Sequence, residues 1–230
     1  MFLSNFHIID PPYCMSQDDC LNWMASSYVS YQNSQKFSFS EYQKLLKRAG
    51  CYSTQIEKRY FFLPDFNSPK IEPGGNQRVF KHGSIGGTNA RQEFFQEVTM
   101  EVFENLYDQR PVPPFLIHVT CTGYGSPSAA QVIAAKKSPR TIVTHSYHMG
   151  CYGAFPAIRM AMGFLSAPVL RNGEAEAVDI VHTELCTLHM APQDPTPEQM
   201  RRFSIRSKTF WNFQKSKYAI VARYCGKEGI

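Results

Sequence analysis

The chain of 230 residues is 43% hydrophobic and 19% charged, with seven irregularly spaced cysteines. This composition excludes a disordered segment, a disulfide-stapled secreted module and, with no apolar run of about 18 residues, a helical membrane protein. The net charge of +5 is uneven: eight of the 24 Lys and Arg lie beyond Met200 against one of the 19 acids, so the body is close to neutral. No nucleic-acid partner is expected, since only the tail is basic enough to hold one.

The length suits one large domain or two small ones, and the cysteine usage suits a reducing, cytoplasmic setting. The opening MFLSNFHIIDPPY has no basic stretch and no small-residue cleavage site, so no secretory leader is read there. Phe6–Ile9 is a short strand stopped by Asp10, Pro11 and Pro12. Ser16–Tyr31 and Ser38–Ala49 are helices, opened by Ser16-Gln17-Asp18-Asp19 and Ser38-Phe39-Ser40-Glu41, and Gly50 closes the second. Glu57–Leu63 is a strand ending at Pro64, and the Pro, Gly and Asn of Pro64–Gly87 predict a surface loop.

Thr88–Tyr107 is the clearest helix, with Phe94, Val98, Val102 and Leu106 repeating every fourth residue as a core face. Phe115–Thr120 is a strand, Cys121–Pro127 a turn and Ser128–Lys137 a short helix. Thr141–Thr144 is β-branched and extended. After Gly150 and Gly153 the chain becomes an Ala- and Met-rich run that reads as a buried helix, and Ala177–Leu185 reads as another buried strand. Strands alternating with helices predict an α/β fold with at least partly parallel strands.

Two small-residue loops follow buried strands, Cys121-Thr122-Gly123 and Gly150-Cys151-Tyr152-Gly153. The ends of strands are where α/β folds place their sites. Cys151 lies at the entry to the longer helix, where unpaired N–H groups and the helix dipole favour a thiolate. The flanking glycines leave room for a carbonyl to approach. The residues alone leave two readings open, a nucleophile for acyl transfer or a buried structural cysteine. Cys121 reads as structural. His145, His148 and Cys151 do not share a face on a strand-to-turn segment and lack a fourth ligand, so no metal is expected. Either histidine is a candidate base for a cysteine hydrolase. Cys186 and His189 either line the same pocket or pack.

MGCYGAFPAIRMA, 149–161, resembles the nucleophile segment of the type III polyketide synthases, the chalcone and stilbene synthase family. The basic strand IEKRY at 56–60, Ala90-Arg91-Gln92 opening the long helix, and HVTCTGYGSPS at 118–128 match in order and spacing. TELCTLH at 183–189 takes the form seen in bacterial alkylpyrone and alkylresorcinol synthases. The resemblance runs from about Phe6 to Met200 and implies the N-terminal half of a thiolase-like α/β fold, a mixed sheet with a buried nucleophile helix. It implies an acyltransferase in which Cys151 takes an acyl starter from acyl-CoA and the chain is extended by decarboxylative condensation of malonyl-CoA, without metal or prosthetic group. Thr122, Gly123, Ser126, Cys186 and His189 would line the substrate site. Lys44, Lys47, Arg48 and Arg59 would meet CoA phosphates. A homodimer and no membrane partner are implied as well.

The His and Asn that complete that family's chemistry belong to its second half. From Arg201 the sequence departs from the family into a basic stretch, so residues 1–200 are expected to form the domain and 201–230 a divergent tail, out of frame or truncated, with a genuine basic partner-binding tail as the alternative. The alternative function is a catalytically inactive fold half or interaction module.

Overall fold

The computed structural model describes residues 2–31, 36–49, 52–54, 56–68, 70–84, 86–167, 177–191, 196 and 219–225. They divide into two compact units, one of residues 1–10, 95–184 and 217–230, the other of 11–94 and 185–216.

The first unit is built on β4 (Phe115–Thr120), whose six residues are all buried. A strand covered on both faces needs apolar residues at consecutive positions, and FLIHVT supplies them at all but His118 and Thr120. β5 (Ile142–Tyr147) and β6 (Ala177–Thr183) flank it, both parallel to it. β7 (Ala219–Cys225) runs antiparallel to β6, and β1 (Phe2–Ile9) antiparallel to β7, giving the order β1-β7-β6-β4-β5. The expected strand at Thr141–Thr144 therefore extends three residues further, to Tyr147. The segment set apart by its charge supplies a strand between β1 and β6, while 201–218 lie outside the described residues.

Alternation along the strands separates two cores. On one face α5 (Ala154–Ser166) lays Ala157, Ala161 and Leu165 against Phe115, Ile117, Val119, Val178 and Ile180. Small residues every fourth position let the helix approach the sheet closely. The rest of α5 is less enclosed than its apolar sequence suggests: Phe155 and Met162, off that stripe, are 60% and 44% exposed. On the other face Phe103, Leu106 and Tyr107 of α3 (Thr88–Leu106, with Tyr107 just beyond) meet Leu116, Val181 and the residues Ala129, Ala130 and Ile133 of α4 (Ala129–Lys137). α4 starts in a capping box: Ser128 accepts from the Gln131 N–H and the Gln131 side chain accepts from the Ser128 N–H.

The second unit holds a two-stranded antiparallel sheet of β2 (Tyr13–Ser16) and β3 (Lys58–Phe61) beside α1 (Gln17–Ser30) and α2 (Phe39–Ala49). Ser16 caps α1 by accepting from the Asp19 N–H. Gly50, expected to close α2, lies outside the described residues. The stretch 64–87 is only partly the surface loop its composition predicts. Phe66 and Phe80 are buried against Trp23. The buried Asp65 carboxylate accepts from the N–H groups of Arg78, Val79 and Phe80 at 2.6–2.8 Å. The Trp23 indole donates to the Asp65 carbonyl. One acid satisfying three amides folds the stretch back on itself, which turn composition does not reveal.

Among the described strands β1 pairs with β7 alone. Ending the chain before Lys217 is therefore expected to free the amides of β1. Hydrogen exchange should show β1 unprotected in the shortened chain while β4 stays protected; protection of β1 in both would contradict the sheet order.

Candidate active site

The parallel strands β4, β5 and β6 end together at Thr120, Tyr147 and Thr183, and the turns leaving them carry the polar side chains. Glu184, directly after β6, is the centre. Its Oε1 accepts from the Cys121 N–H at 2.8 Å and from His182 Nε2 at 3.1 Å. Its Oε2 accepts from the Thr122 hydroxyl at 2.7 Å and the Cys121 thiol at 3.1 Å. Burial pushes this carboxyl up, but the hydrogen bond from His182, that from Thr122, the His182 charge and the Cys121 thiol outweigh it, and the group sits below the ordinary glutamate value. Cys121 thus holds its proton towards a carboxylate, which suits a structural thiol and not a nucleophile.

A second polar chain lies one step deeper. The ring of His118, 1% exposed, meets Thr183 Oγ1 through Nε2 at 2.9 Å and the Tyr147 hydroxyl through Nδ1 at 2.6 Å. Ser128 Oγ lies 2.9 Å from His145 Nε2. Burial, with His145 and His182 nearby, lowers His118 to about 3, and burial raises Tyr147 to about 12 against the opposing Ser128 bond. Both are therefore neutral near pH 7. Each neutral ring nitrogen of His118 has a partner, so the buried polar group is satisfied.

The turn from β5 to α5 is tight. His148 and Gly150 have φ of +59° and +60°. The first is costly for a residue with a Cβ, and the second is where glycine is favoured. His148 donates its N–H to the Thr120 carbonyl, and its ring stacks on Tyr124 with centroids 4.3 Å apart. Residues 150–152 form one 3-10 turn, and α5 starts at Ala154. Cys151 therefore lies in the approach to the helix, three residues ahead of its first residue, not in its opening turn. The backbone of Cys151 is described and its side chain is not. The two flanking glycines serve different ends. Gly150 supplies the left-handed φ with open space around it. A Cβ at Gly153 would come within 2.9 Å of Val119 Cγ1, so Gly153 lets the start of α5 settle on the sheet instead of leaving room for a carbonyl.

Of the other expected residues, Thr122 joins the Glu184 cluster. Gly123 is buried beneath the Phe95 ring, 2.0 Å from where a Cβ would stand, a packing role. Ser126 is exposed. Cys186 and His189 belong to a 3-10 turn of the second unit. So do the basic residues: Lys44 and Arg48 are exposed on α2, Lys47 lies 3.9 Å from Asp18, and the Arg59 Nε donates to the Gln17 side chain. His145 and His148 diverge, one to Ser128 and the other to Tyr124. Sequence reasoning passed over Glu184, His182, His118 and Tyr147. The available signal was a charged residue closing an otherwise buried strand at its carboxyl end.

The same arrangement of elements occurs in solved enzymes. The chain aligns over 99% of its length with 1,3,6,8-tetrahydroxynaphthalene synthase from Streptomyces coelicolor, a bacterial type III polyketide synthase, at TM-score 0.65 and 17% identity. The fold is that of roughly the N-terminal half of the type III polyketide synthases. Germicidin synthase from the same organism, also a type III polyketide synthase, gives TM-score 0.67 at 12% identity over 99% of the chain. A variant of CsyB complexed with CoA-SH gives 0.62 at 16% over 99%. The chain spans 57% of the first and third and 60% of the second. No protein-family model and no curated protein sequence matches it. No helix among the described residues is long and apolar enough to cross a membrane.

The neutral His118 sets a pH dependence. Its folded value lies below the unfolded one, near 6.5, so its contribution is fully present above pH 6.5 and is lost as pH falls towards 3. Denaturant unfolding should show stability falling between pH 6 and 4 with a His118 share of at most about 1.4 kcal/mol per pH unit. His118→Gln should flatten the slope; an equal slope in both chains would contradict a buried neutral imidazole.

Proposed function

We propose that this chain carries an acyl group on Cys151, taken from acyl-CoA, as the loading half of a reaction of the type III polyketide synthase kind in which malonyl-CoA then extends the chain. The observation that carries the reading is the position of Cys151: the strained turn between the carboxyl end of a parallel strand and the N-terminus of α5, in a chain with this fold. The helix dipole there stabilises a thiolate. The thiolate adds to the thioester carbonyl carbon, the carbon–sulfur bond to CoA breaks, and the departing CoA thiolate takes up a proton. Thr122 and the strand-end cluster border the acyl group. Lys44, Lys47, Arg48 and Arg59 are the proposed contacts for CoA phosphates, which suit a cationic helix end and strand. A CoA-SH complex of a structural neighbour supports this substrate class. The setting proposed is cytoplasmic and the assembly a homodimer, with no metal or prosthetic group.

The resemblance assigns condensation to a His and an Asn of the second half, so the chain by itself is expected to load but not to extend. Purified protein given a long-chain acyl-CoA should gain one acyl mass on the Cys151 peptide, absent in Cys151→Ala, and should form no pyrone or resorcinol when labelled malonyl-CoA is added. Absence of any Cys151 adduct would reject the acyl-carrier reading and favour a non-catalytic fold half. Product above the Cys151→Ala control would show that this chain holds the condensation machinery itself.

A further inference from the structure

We infer that Tyr124 is a positioning residue: its ring holds His148 in the left-handed backbone that the turn between β5 and α5 needs, and so fixes the path of the backbone through Cys151. The hold on the turn stands on geometry alone; its consequence for chemistry rests on the acyl-carrier reading.

Both ends of the turn are fixed on the sheet. β5 ends at Tyr147. At the other end the Gly153 N–H donates to the Gly150 carbonyl at 3.0 Å, and the Ser146 hydroxyl donates to the Gly153 carbonyl at 3.1 Å. Gly153 also sits against Val119, with no room for a Cβ. Between these anchors the direction of the chain is decided at His148 and Gly150, with φ of +59° and +60°. Gly150 adopts that φ without cost, and nothing lies within 4 Å of where its Cβ would stand, so its surroundings do not grip it. His148 differs. Its Cβ crowds the following carbonyl in the left-handed region, and the residue returns to an ordinary φ unless something holds it.

Two contacts can hold it. The His148 N–H donates to the Thr120 carbonyl at 3.0 Å, a bond open to almost any residue at that position. The ring lies on Tyr124 with centroids 4.3 Å apart and 19° between the planes, while Tyr147 meets it edge-on at 5.9 Å. The stack is therefore the close contact that depends on the side chain. Tyr124 is placed by its neighbour Gly123, which is buried beneath the Phe95 ring. The Tyr124 residue itself is 69% exposed, so core packing does not account for its ring. A stacked aromatic pair stabilises by the same order as a left-handed φ costs a residue with a Cβ, so the pair is enough to offset the strain. Without the Tyr124 ring, His148 is free to leave the left-handed region, and the backbone of residues 149–152 follows it.

The test is hydrogen exchange at the residue 148 amide, read by NMR in the full chain. Tyr124→Ala should speed exchange there about tenfold while the β4 amides stay unchanged, and Tyr124→Phe should match the wild type. His148→Ala loses the stack and keeps a Cβ, so it should exchange as fast as Tyr124→Ala. His148→Gly loses the stack but adopts the left-handed φ unaided, so it should stay slow. Loading of Cys151 by a long-chain acyl-CoA should fall in Tyr124→Ala and return when His148→Gly is added to it. Wild-type exchange in Tyr124→Ala, or equal exchange in His148→Ala and His148→Gly, overturns the inference. Should Tyr124→Ala lose protection across β4, the comparison of the two His148 variants decides alone. Loading that stays low in the double variant while its residue 148 amide exchanges slowly overturns the positioning role. A wild-type Cys151 that takes no acyl group rejects the acyl-carrier reading instead, and the exchange results still judge the hold on the turn.

Discussion

The carboxyl ends of β4 and β6 are tied together by the four hydrogen bonds that one carboxylate receives. Glu184 follows β6, and its donors come from the turn after β4 and from β6 itself. Two parallel strands joined only by slanted ladder bonds can fray at their ends; here a charge-assisted clamp holds the two ends together. The clamp sets the thiol of Cys121, the hydroxyl of Thr122 and the ring of His182 at once. A carboxylate largely shielded from water is stable there because each oxygen has two donors, and this is why burial fails to raise its pKa above the ordinary value.

The third strand end is held differently. β5 has no carboxylate; the His148 N–H reaches the Thr120 carbonyl, Tyr147 reaches His118, and Ser146 reaches Gly153. These contacts hold two left-handed residues, His148 and Gly150, one residue apart in the turn that carries Cys151. Strain persists where its surroundings over-determine it, and this turn is fixed from the strand, the neighbouring strand and the helix. The loading chemistry proposed for Cys151 belongs to this junction.

The sequence made the architecture legible where one physical signal dominates. The four-residue repeat of Phe94, Val98, Val102 and Leu106 marks α3, and the apolar run 115–120 marks β4, because burial alone dictates those patterns. The Ser16 opening of α1 was readable as short-range chemistry. Asp65 and Glu184 were not: the carboxylate of Asp65 takes its donors from 13–15 residues away and that of Glu184 three of its four from 62–63 residues away, and no local pattern announces such pairings. The β-branched run before Gly150 and the Ala- and Met-rich run after Gly153 marked the strand-to-helix turn that holds Cys151. The roles of Gly123 and Gly153, by contrast, came from contacts with Phe95 and Val119 that spacing cannot show. β7 escaped because the charge of the surrounding tail hid a short β-branched run, Ile220-Val221, inside it.

The Glu184 carboxylate, ionised and engaged on both oxygens, organises the ends of β4 and β6. The most direct measurement is a carbon-13 NMR titration of the Glu184 side-chain carboxyl in the intact chain, alongside Thr122→Val. The carboxyl should titrate below the ordinary glutamate value of about 4.3 and move up when the Thr122 hydroxyl is removed. A carboxyl that titrates at or above the ordinary value, and does not respond to Thr122→Val, would contradict it.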